Sequence, residues 1–431
     1  MKSIKIYEIL TVAIILYSTI AGYTQQQSDP ADTIDVKSPL ESYLKLSAEN
    51  NPLLKSLFNQ YLAAMERLPQ ARALPDPTVM FNIFTSPVET RVGATQAGLA
   101  INQAFPWFGQ LSAQEEVAAQ FAKSRFEVFE DERNRLFFNV RSTYYELYVL
   151  EAAITITNKN IRLLESFRRL ANVRLEAGTG SAVDLLRVEM DLAELDNELK
   201  YLEDTREPIL AELIELMNVD YDLRIEIPDT LVTIEFQENK SVLLDSILMQ
   251  NPGLRKLDYD IDALNSEIDV ARKMGLPSFN IGLAYTNVAK RTGVEDFAGN
   301  GKDSFIFPQI GVRIPLYRKK YKAMVNEKEY LKMSVVQQKE NRVNRLNTEL
   351  EKGWRDYLDA RRRVALYAYL IRLADQSLNI LLAEFTSAGK DFEEVLRMDR
   401  QLLTYELELE KARADQNTAV AYITYLTGKT I

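Results

Sequence analysis

The stretch AGLAINQAFPWFGQLSAQEE, residues 97–116, changes its periodicity halfway along. Up to Phe105, bulky apolar residues alternate with small or polar ones, as in a β-strand with one apolar face. After Gly109 the sequence becomes rich in alanine and charge, which favours a helix. Pro106 lies at the change, and proline ends the hydrogen-bond ladder of a sheet yet is tolerated in the first turn of a helix. The stretch therefore predicts a strand that leads into a helix in one continuous wall.

The second half of the chain repeats the elements of the first half in the same order. The segment ENNPLL (49–54) returns as QNPGLR (250–255), and the junction at Pro106 returns at Pro315 in PQIGVRIPLYRKKYKAMVNEKE (308–329). Internal repetition of this kind indicates two equivalent structural units. We predict four segments: a signal peptide at 1–24, a first repeat at 25–217, a linker at 218–240, and a second repeat at 241–431.

The predicted signal peptide has a basic start and a short apolar core. Lys2 and Lys5 precede an apolar stretch from Ile9 to Ile20, followed by small residues. The apolar stretch is shorter than the roughly 20 residues that a helix needs to cross a bilayer. A secreted protein is therefore expected, and a short N-terminal anchor is the alternative.

Each half contains one exceptionally long helical segment. The runs 110–176 and 319–387 have no internal proline, and at about 1.5 Å per residue each reaches on the order of 100 Å. Shorter helical segments with heptad spacing follow them, which indicates packing along a narrow seam as in a coiled coil. Glycine-containing reversals join each pair: EAGTGSAVDLL (176–186) and FTSAGKDFEEVL (385–396). Each half is predicted to be a long antiparallel helical hairpin.

Polar residues after the glycines have the spacing of helix caps. Ser181 with Asp184, and Asp391 with Glu394, are three residues apart at the predicted starts of the outgoing helices. This is the spacing of a capping box, in which a hydroxyl or carboxylate accepts a hydrogen bond from the backbone of the first turn. A structural role in capping is thus one interpretation of Glu394.

Two strand candidates occur in each half: 78–84, 98–105, 279–287 and 308–314. One face of each is apolar and the other small or polar, which suits a soluble sheet as well as a lipid-facing one. Four strands cannot close a membrane barrel, because the smallest have about eight strands and open edges in lipid are costly. If the strands lie in a membrane, several chains must share one barrel, and their helices would form a hollow cylinder beneath it.

Composition excludes most catalytic chemistry. The chain has no histidine and no cysteine, so it cannot form a Ser-His-Asp or Cys-His nucleophile or a zinc site built from those residues. Nucleotide-binding and calcium-loop motifs are also missing from the sequence. With a net charge of -10 and no basic run with interleaved aromatic residues, nucleic acid is a poor partner. We predict no enzyme, no cofactor, no catalytic residue and no metal site.

With its Asn-Pro repeats, two pairs of strands, Phe-Pro-Trp-Phe-Gly junction and two glycine-containing reversals, the chain resembles the TolC family of outer membrane efflux proteins. The resemblance covers residues from about Pro39 to Gly428. It implies a mainly α fold with a small antiparallel β part. Three chains, with four strands each, would share a twelve-stranded outer membrane β-barrel that continues into a periplasmic α-barrel. The junction is similar to that of the heavy-metal and cation efflux branch.

The resemblance also implies a function, a location and partners. The chain would be the passive exit duct of a tripartite efflux system, in the outer membrane of a Gram-negative cell with a periplasmic extension. Its partners would be the lipid bilayer, two further copies in a homotrimer, a periplasmic adaptor of the membrane fusion type, and an inner membrane transporter, for example of the RND type.

Candidate site residues follow from the same resemblance. In the second reversal Gly389 matches the turn, Lys390 the basic residue after it, and Glu394 an acidic residue that faces the aperture. The full sets are: aperture, Lys390, Glu393, Glu394 and Arg397; adaptor-docking tips, Gly178, Gly180, Asp184, Leu185, Gly389 and Leu396; strand-to-helix junctions, Pro106, Gly109 and Pro315.

Two departures from the family pattern affect how a closed state is held. Phe385 stands where a gate tyrosine is common, and Arg397 stands where a second aperture aspartate is common. A closed state held by a tyrosine hydroxyl and paired aspartates is therefore not expected. Arg187 and Arg397 are more simply interpreted as members of surface or interhelical ion pairs.

Two other functions remain open from the sequence. A secreted, soluble coiled-coil scaffold would account for the helices, and it would stay in solution without detergent. A hydrolase that uses only carboxylates, such as a glycosidase, would need a cleft of facing acidic residues. The elongated helical pattern does not supply such a cleft.

Overall fold

The computed structural model describes residues 39–220, 223–291, 293, 297–301, 304–388 and 392–429. The predicted signal peptide lies outside these ranges, as do Gly389, Lys390 and Asp391. The described chain contains helices at α1 Pro39–Asn50, α2 Pro52–Met65, α3 Arg67–Arg72, α4 Gln110–Glu176, α5 Ala182–Met217, α6 Lys240–Gln250, α7 Pro252–Met274, α8 Arg318–Ala388 and α9 Phe392–Thr427. Its strands are β1 Thr78–Ile83, β2 Glu89–Thr90, β3 Gly93–Phe105, β4 Ser278–Val288 and β5 Ser304–Arg313.

The long helices agree with the sequence prediction. Helix α4 has 67 residues and α8 has 71, and each turns back into a 36-residue helix, α5 or α9. Helix α4 also packs against α7, and α9 also packs against α4, so the two hairpins form one bundle. Within the part of the chain described, none of the helices has both the length and the apolar character of a membrane span. The predicted fold class, mainly α with a small antiparallel β part, is confirmed.

The repeated Asn-Pro motifs cap a helix and fasten the end of the hairpin in each half. The side chain of Asn51 accepts hydrogen bonds from the first-turn amides of α2, and its amide donates to the carbonyl of Leu216 at 3.3 Å. The Asn251 side chain accepts from the backbone N–H of Leu254, and its amide donates to the carbonyl of Leu426 at 3.0 Å. The repeat therefore ties the last turn of α5 and of α9 to the start of a shorter helix in the same way.

The two pairs of strands join into one antiparallel sheet with the order β1-β3-β4-β5. The central pairing links the two halves: Phe105 on β3 lies opposite Phe279 on β4, and Leu99 lies opposite Tyr285. Strand β3 begins earlier than predicted and pairs at its outer end with the short β2, which the sequence analysis missed. Strand β5 begins at Ser304 rather than at Pro308.

The segment between the halves crosses the bundle as an irregular strap, residues 223–239. Tyrosine hydroxyls and side-chain amides of the helices bind its backbone. The hydroxyl of Tyr148 on α4 accepts from the Leu231 N–H at 3.0 Å, and that of Tyr357 on α8 accepts from the Phe236 N–H at 3.2 Å. The Gln416 side chain on α9, a polar lapse in the heptad seam, donates to the backbone carbonyl of Ile234 at 2.9 Å. A polar residue is needed at this position of the seam, because an apolar side chain could not donate a hydrogen bond to the strap.

Candidate functional site

The sheet has one apolar face and one small or polar face, and the register decides which side chains share a face. Ile281 lies directly opposite Ile310 across β4 and β5, and Leu283 lies opposite Ile101 across β4 and β3. Side chains on this face point away from the rest of the chain: the exposed fraction is 65% for Phe81 and 79% for Ile310. No second layer within the described residues covers it. A contiguous exposed apolar face marks contact with another protein or with lipid.

The opposite face of the sheet carries mostly small and polar side chains. A Cβ atom added to Gly282 would lie 2.1 Å from the Oδ1 atom of Asn102 and 2.8 Å from the backbone oxygen of Ile101. Only glycine fits at this close approach, since real Cβ atoms do not tolerate such contacts. Asn280 and Asn102 share this face with small residues and with two large apolar ones, Met80 and Phe307, so this face is mixed rather than continuously apolar.

The sheet has two unsatisfied outer edges. Strands β1 and β5 are the terminal strands of the order, and neither has a second partner among the described residues. An edge strand offers a row of backbone donors and acceptors for pairing with another chain. The four main strands can therefore join further strands on both sides.

The strand-to-helix junctions lie at one end of the sheet. Pro106 and Gly109 stand between β3 and α4, and Gly109 has a φ of 74°, a left-handed conformation that favours glycine. Pro315 stands between β5 and α8 and is buried. Trp107 stacks on Phe279 with ring centroids 6.0 Å apart, which fixes the first junction to the central strand β4.

At the far end of the bundle, the two hairpins pack their tips together through an aromatic cluster. The Phe392 ring at the start of α9 lies 4.7 Å from the Phe385 ring at the end of α8 and 6.0 Å from the Phe167 ring on α4, centroid to centroid. The guanidinium of Arg174 lies 4.2 Å above the Phe385 ring and donates to the Phe385 carbonyl at 2.6 Å. Position 385 therefore contributes a buried ring without a hydroxyl, and an arginine covers it.

The first reversal is built around two glycines and a serine cap. Gly178 has a φ of 71°, and a Cβ on Gly180 would lie 2.9 Å from the Cβ atom of Arg174. Ser181 caps α5, but its hydroxyl accepts from the Val183 N–H rather than from the residue that a capping box would use. The predicted capping box is therefore wrong in detail, because the Asp184 carboxylate is turned towards an arginine.

Ion pairs connect the two tips. Arg187 on α5 lies 3.8 Å from Asp184 in its own helix and 3.0 Å from Glu393 on α9. Arg400 on α9 lies 3.4 Å from Asp191 on α5 and 3.8 Å from Glu393. Each contact joins a guanidinium nitrogen to a carboxylate oxygen. These five residues, which we call the tip ion network, hold α5 against α9 in the protomer.

The other predicted site residues are distributed around this network. Glu394 pairs with Arg397, one turn along α9, and both side chains are substantially exposed. Leu396 is buried in the tip core, and Leu185 packs against its edge. The structure therefore brings Glu393 and Asp184 together through Arg187, whereas Glu394 forms a separate pair. Gly389 and Lys390 lie outside the described residues.

Sequence reasoning missed one buried carboxylate near the tip. Asp399 on α9 is 1% exposed, and the Asn160 amide on α4 donates to both of its oxygens at 3.2 Å. Burial raises the pKa of Asp399 to about 6. The negative charges of Asp191 and Glu406 also raise this pKa, whereas the hydrogen bond from Asn160 and the positive charge of Arg400 lower it. The only sequence signal is an acidic residue next to Met398 in an otherwise apolar seam.

We expect Asp399→Asn to stabilise the protein at neutral pH. The folded-state pKa of about 6 exceeds the ordinary value of 3.8, so the folded state binds more protons between these limits. The free energy of unfolding therefore falls as the pH rises through this window, and the full cost of the buried charge is present above about pH 6. Removing the buried charge should raise the free energy of unfolding by on the order of 2 kcal/mol at pH 7.5 and by little at pH 4. Thermal unfolding followed by circular dichroism at both pH values measures this.

The exposed Asp196 on α5 provides the control for this variant. Asp196→Asn removes a carboxylate that pairs with Lys200 at the surface, so its effect should be small at both pH values. The difference in thermal unfolding midpoint between Asp399→Asn and the wild type should be larger at pH 7.5 than at pH 4. An equal difference at both pH values would contradict an ionised, buried Asp399.

Comparison with known proteins shows the same architecture elsewhere. A sequence model of the family described as outer membrane efflux protein matches residues 43–219. The outer membrane efflux protein BepC of Brucella suis biovar 1 (strain 1330) is 21% identical over 440 residues, which cover 98% of this chain and 90% of that protein.

Solved structures agree over nearly the whole chain. A membrane protein from Pseudomonas aeruginosa superposes with a TM-score of 0.74 at 15% identity, covering 94% of this chain and 99% of that one. The open state of the MtrE outer membrane channel from Neisseria gonorrhoeae gives a TM-score of 0.70 at 15% identity, covering 94% and 97%. At this level of identity the structural likeness shows a shared fold.

Proposed function

We propose that the chain is an outer membrane efflux protein, the outer membrane exit duct of a tripartite efflux system, because it resembles that family over residues 43–219 and the protein BepC over nearly its whole length. It conducts substrates passively from the periplasm to the exterior of a Gram-negative cell. The observation that carries this proposal is the sheet, which has an exposed apolar face, two open edges and a direct continuation into helices of 67 and 71 residues. Lipid would cover the apolar face, and the helices would extend into the periplasm.

The open edges support a barrel shared by several chains, and the resemblance to efflux proteins implies that there are three. Pairing β5 of one chain with β1 of the next would satisfy both edges, and three chains with four main strands each would close a barrel of twelve. Bacterial outer membrane barrels are closed because an unpaired backbone group in lipid costs several kcal/mol. The helical hairpins of three chains would then surround a common axis as an α-barrel.

The tips are the proposed contact with a periplasmic adaptor, which in turn joins an inner membrane transporter, for example of the RND type. Gly178, Gly180, Asp184 and Leu185 at the first reversal would form part of this docking surface, together with Gly389 at the second. Leu396, which the sequence analysis also assigned to it, is 0% exposed in the tip core and cannot contact an adaptor directly. Opening would require the two hairpins to separate at the tip, and the tip ion network opposes that movement. The heavy-metal branch of the family stays a prediction.

The alternative of a secreted, soluble scaffold lacks support. Its sheet would expose a continuous apolar face to water, where monomeric proteins rarely leave apolar patches beyond a few hundred Å². The solved channels with this fold, MtrE among them, are described as outer membrane channels. These descriptions are consistent with the prediction that the chain is not an enzyme, which stays a prediction.

Planar bilayer recordings of the purified mature protein test the proposal. We expect a detergent-dependent trimer that inserts and conducts ions, with a preference for cations if three copies of Glu394 form the proposed ring of carboxylates at the aperture. Glu394→Gln should lower the cation preference, and Glu408→Gln, farther from the tip on the same helix, is the matched control. A water-soluble monomer without conductance would overturn the proposed function. Normal conductance with unchanged selectivity in Glu394→Gln would overturn the aperture role of Glu394 alone.

A further inference from the structure

An apolar groove lies beside the first strand-to-helix junction. Its volume is about 430 Å³, within the range of roughly 300–1,000 Å³ that small-ligand pockets have. The groove opens outward on the apolar side of the sheet, and the side chain of Phe108 at its mouth is 78% exposed. The lining side chains include Leu74, Phe105, Trp107, Phe108, Phe279 and Ile281.

Cationic groups border the end of this groove that faces the helices. The Lys273 ammonium donates to the carbonyl of Gly109, a lining residue, at 3.2 Å. The Arg318 guanidinium donates at 3.0 Å to the carbonyl of Gly275, the C-cap of the helix whose last turn carries Lys273, so the start of α8 packs next to this lysine. Lys273 also pairs with Asp269, so part of its charge is neutralised.

The start of α8 carries unpaired positive charge in a protein whose net charge is -10. Its first five residues include Arg318, Lys319, Lys320 and Lys322, and the next acidic residue along the chain is Glu327. All four basic side chains belong to the described residues, and there none of them pairs with a carboxylate. The Lys320 ammonium lies 5.7 Å from the ring centroid of its neighbour Tyr321.

These charges do not stabilise the helix that bears them. The N-terminus of a helix carries the positive end of the macrodipole, so basic residues in the first turn are unfavourable and acidic ones favourable. Helix α8 has no acidic residue in its first turn. The corresponding start of α4 has no charged side chain between Arg91 and Glu115. The two equivalent junctions therefore differ: the first supplies an apolar groove, and the second supplies positive charge beside it.

We propose that this composite surface binds an anionic glycerophospholipid of the periplasmic leaflet, with an acyl chain in the groove and the phosphate at the start of α8. The inference rests on the proposed function, because the proposed membrane placement of the sheet sets the junctions at the level of the lipid headgroups. Charge complementarity selects the occupant: a detergent or a neutral lipid would fill the groove but leave the cations unpaired. Each basic residue near an anionic lipid surface contributes roughly fivefold in affinity.

Native mass spectrometry of the purified full chain tests this inference. The protein is mixed with micelles that contain equal amounts of phosphatidylglycerol and phosphatidylcholine, and the lipid molecules retained are counted. The wild type should retain phosphatidylglycerol at least about fivefold over phosphatidylcholine. The variant Lys319→Gln, Lys320→Gln, Lys322→Gln should lose this preference, whereas Phe279→Ala should lower the retention of both lipids.

A matched control removes the same charge elsewhere on α8. Lys332→Gln, Lys339→Gln, Lys352→Gln should keep the wild-type preference, because these residues lie farther along the helix from the groove. Equal retention of both lipids by the wild type, or an unchanged preference in the junction variant, would overturn the inference. Bilayer recordings on the same wild-type preparation separate the two failures: conductance without lipid preference overturns the lipid site alone, and no insertion overturns the proposed function as well.

Discussion

Ile310→Lys is expected to remove the protein from the outer membrane. Ile310 lies on the apolar face near the middle of β5, opposite Ile281, and is 79% exposed. A lysine on the lipid face of a barrel costs about 2–4 kcal/mol at the midplane of the bilayer. In a trimer the cost arises once per chain, so the assembled form should be disfavoured strongly. Outer membrane fractionation and the amount of heat-resistant trimer on gels measure the loss.

The neighbouring residue provides a matched control. Gln309 lies opposite Gly282, on the small and polar face of the sheet. Gln309→Lys adds the same charge at nearly the same depth but on the face proposed to line the water-filled pore, where charge changes selectivity rather than assembly. Equal amounts of membrane-bound trimer for the two variants would contradict a lipid-facing apolar side.

Phe392→Ala is expected to destabilise the tip and make the proposed channel leak. Phe392 is 1% exposed and contacts the rings of Phe385 and Phe167. Truncating a buried phenylalanine costs about 3–5 kcal/mol, because the cavity left behind does not collapse completely. The contact with Phe167 on α4 joins the second hairpin to the first, so its loss favours their separation. Single-channel conductance should rise, and trypsin should cleave the tip faster than in the wild type.

Phe392→Leu is the control, because it removes the aromatic ring but leaves a smaller cavity than Phe392→Ala. Leucine keeps much of the buried volume, so the conductance and the rate of cleavage should stay closer to those of the wild type. If Phe392→Ala left both measurements unchanged, the aromatic cluster would not hold the tips together. Cleavage in the strap rather than at the tip would show that the destabilisation lies elsewhere.

The long helices could be predicted because their signals are local. An absence of proline over two long runs, a heptad seam and glycine at the reversals each act within a few residues. The predicted run at 110–176 coincides with α4, and that at 319–387 differs from α8 by one residue at each end. The strands were found in the right places for the same reason, but β2 was missed and β5 begins earlier than predicted. Two-residue pairing such as that of β2 depends on a partner strand and has no periodicity of its own.

The contacts at the tip could not be read from sequence spacing. Arg187 was expected to form a surface or interhelical ion pair, but nothing in the sequence named Glu393 as its partner on another hairpin. Asp399 is buried because α4 packs across it and Asn160 faces it, 239 residues away along the chain. Both contacts depend on which faces of α4, α5 and α9 meet, and the packing of the helices in the tertiary structure decides this.

By itself, the amino-acid sequence determined the two-fold repeat, the helical hairpins, the continuous strand-to-helix walls and the absence of histidine and cysteine chemistry, because each is encoded by neighbouring residues or by composition. The tertiary structure alone decided that the sheet leaves its apolar face uncovered. An alternating strand is equally suited to a soluble sandwich or to lipid, and only the position of the other layers distinguishes them. It likewise decided that the strap binds the helices through Tyr148, Tyr357 and Gln416. Such long-range hydrogen bonds form only after the bundle has brought distant helices together.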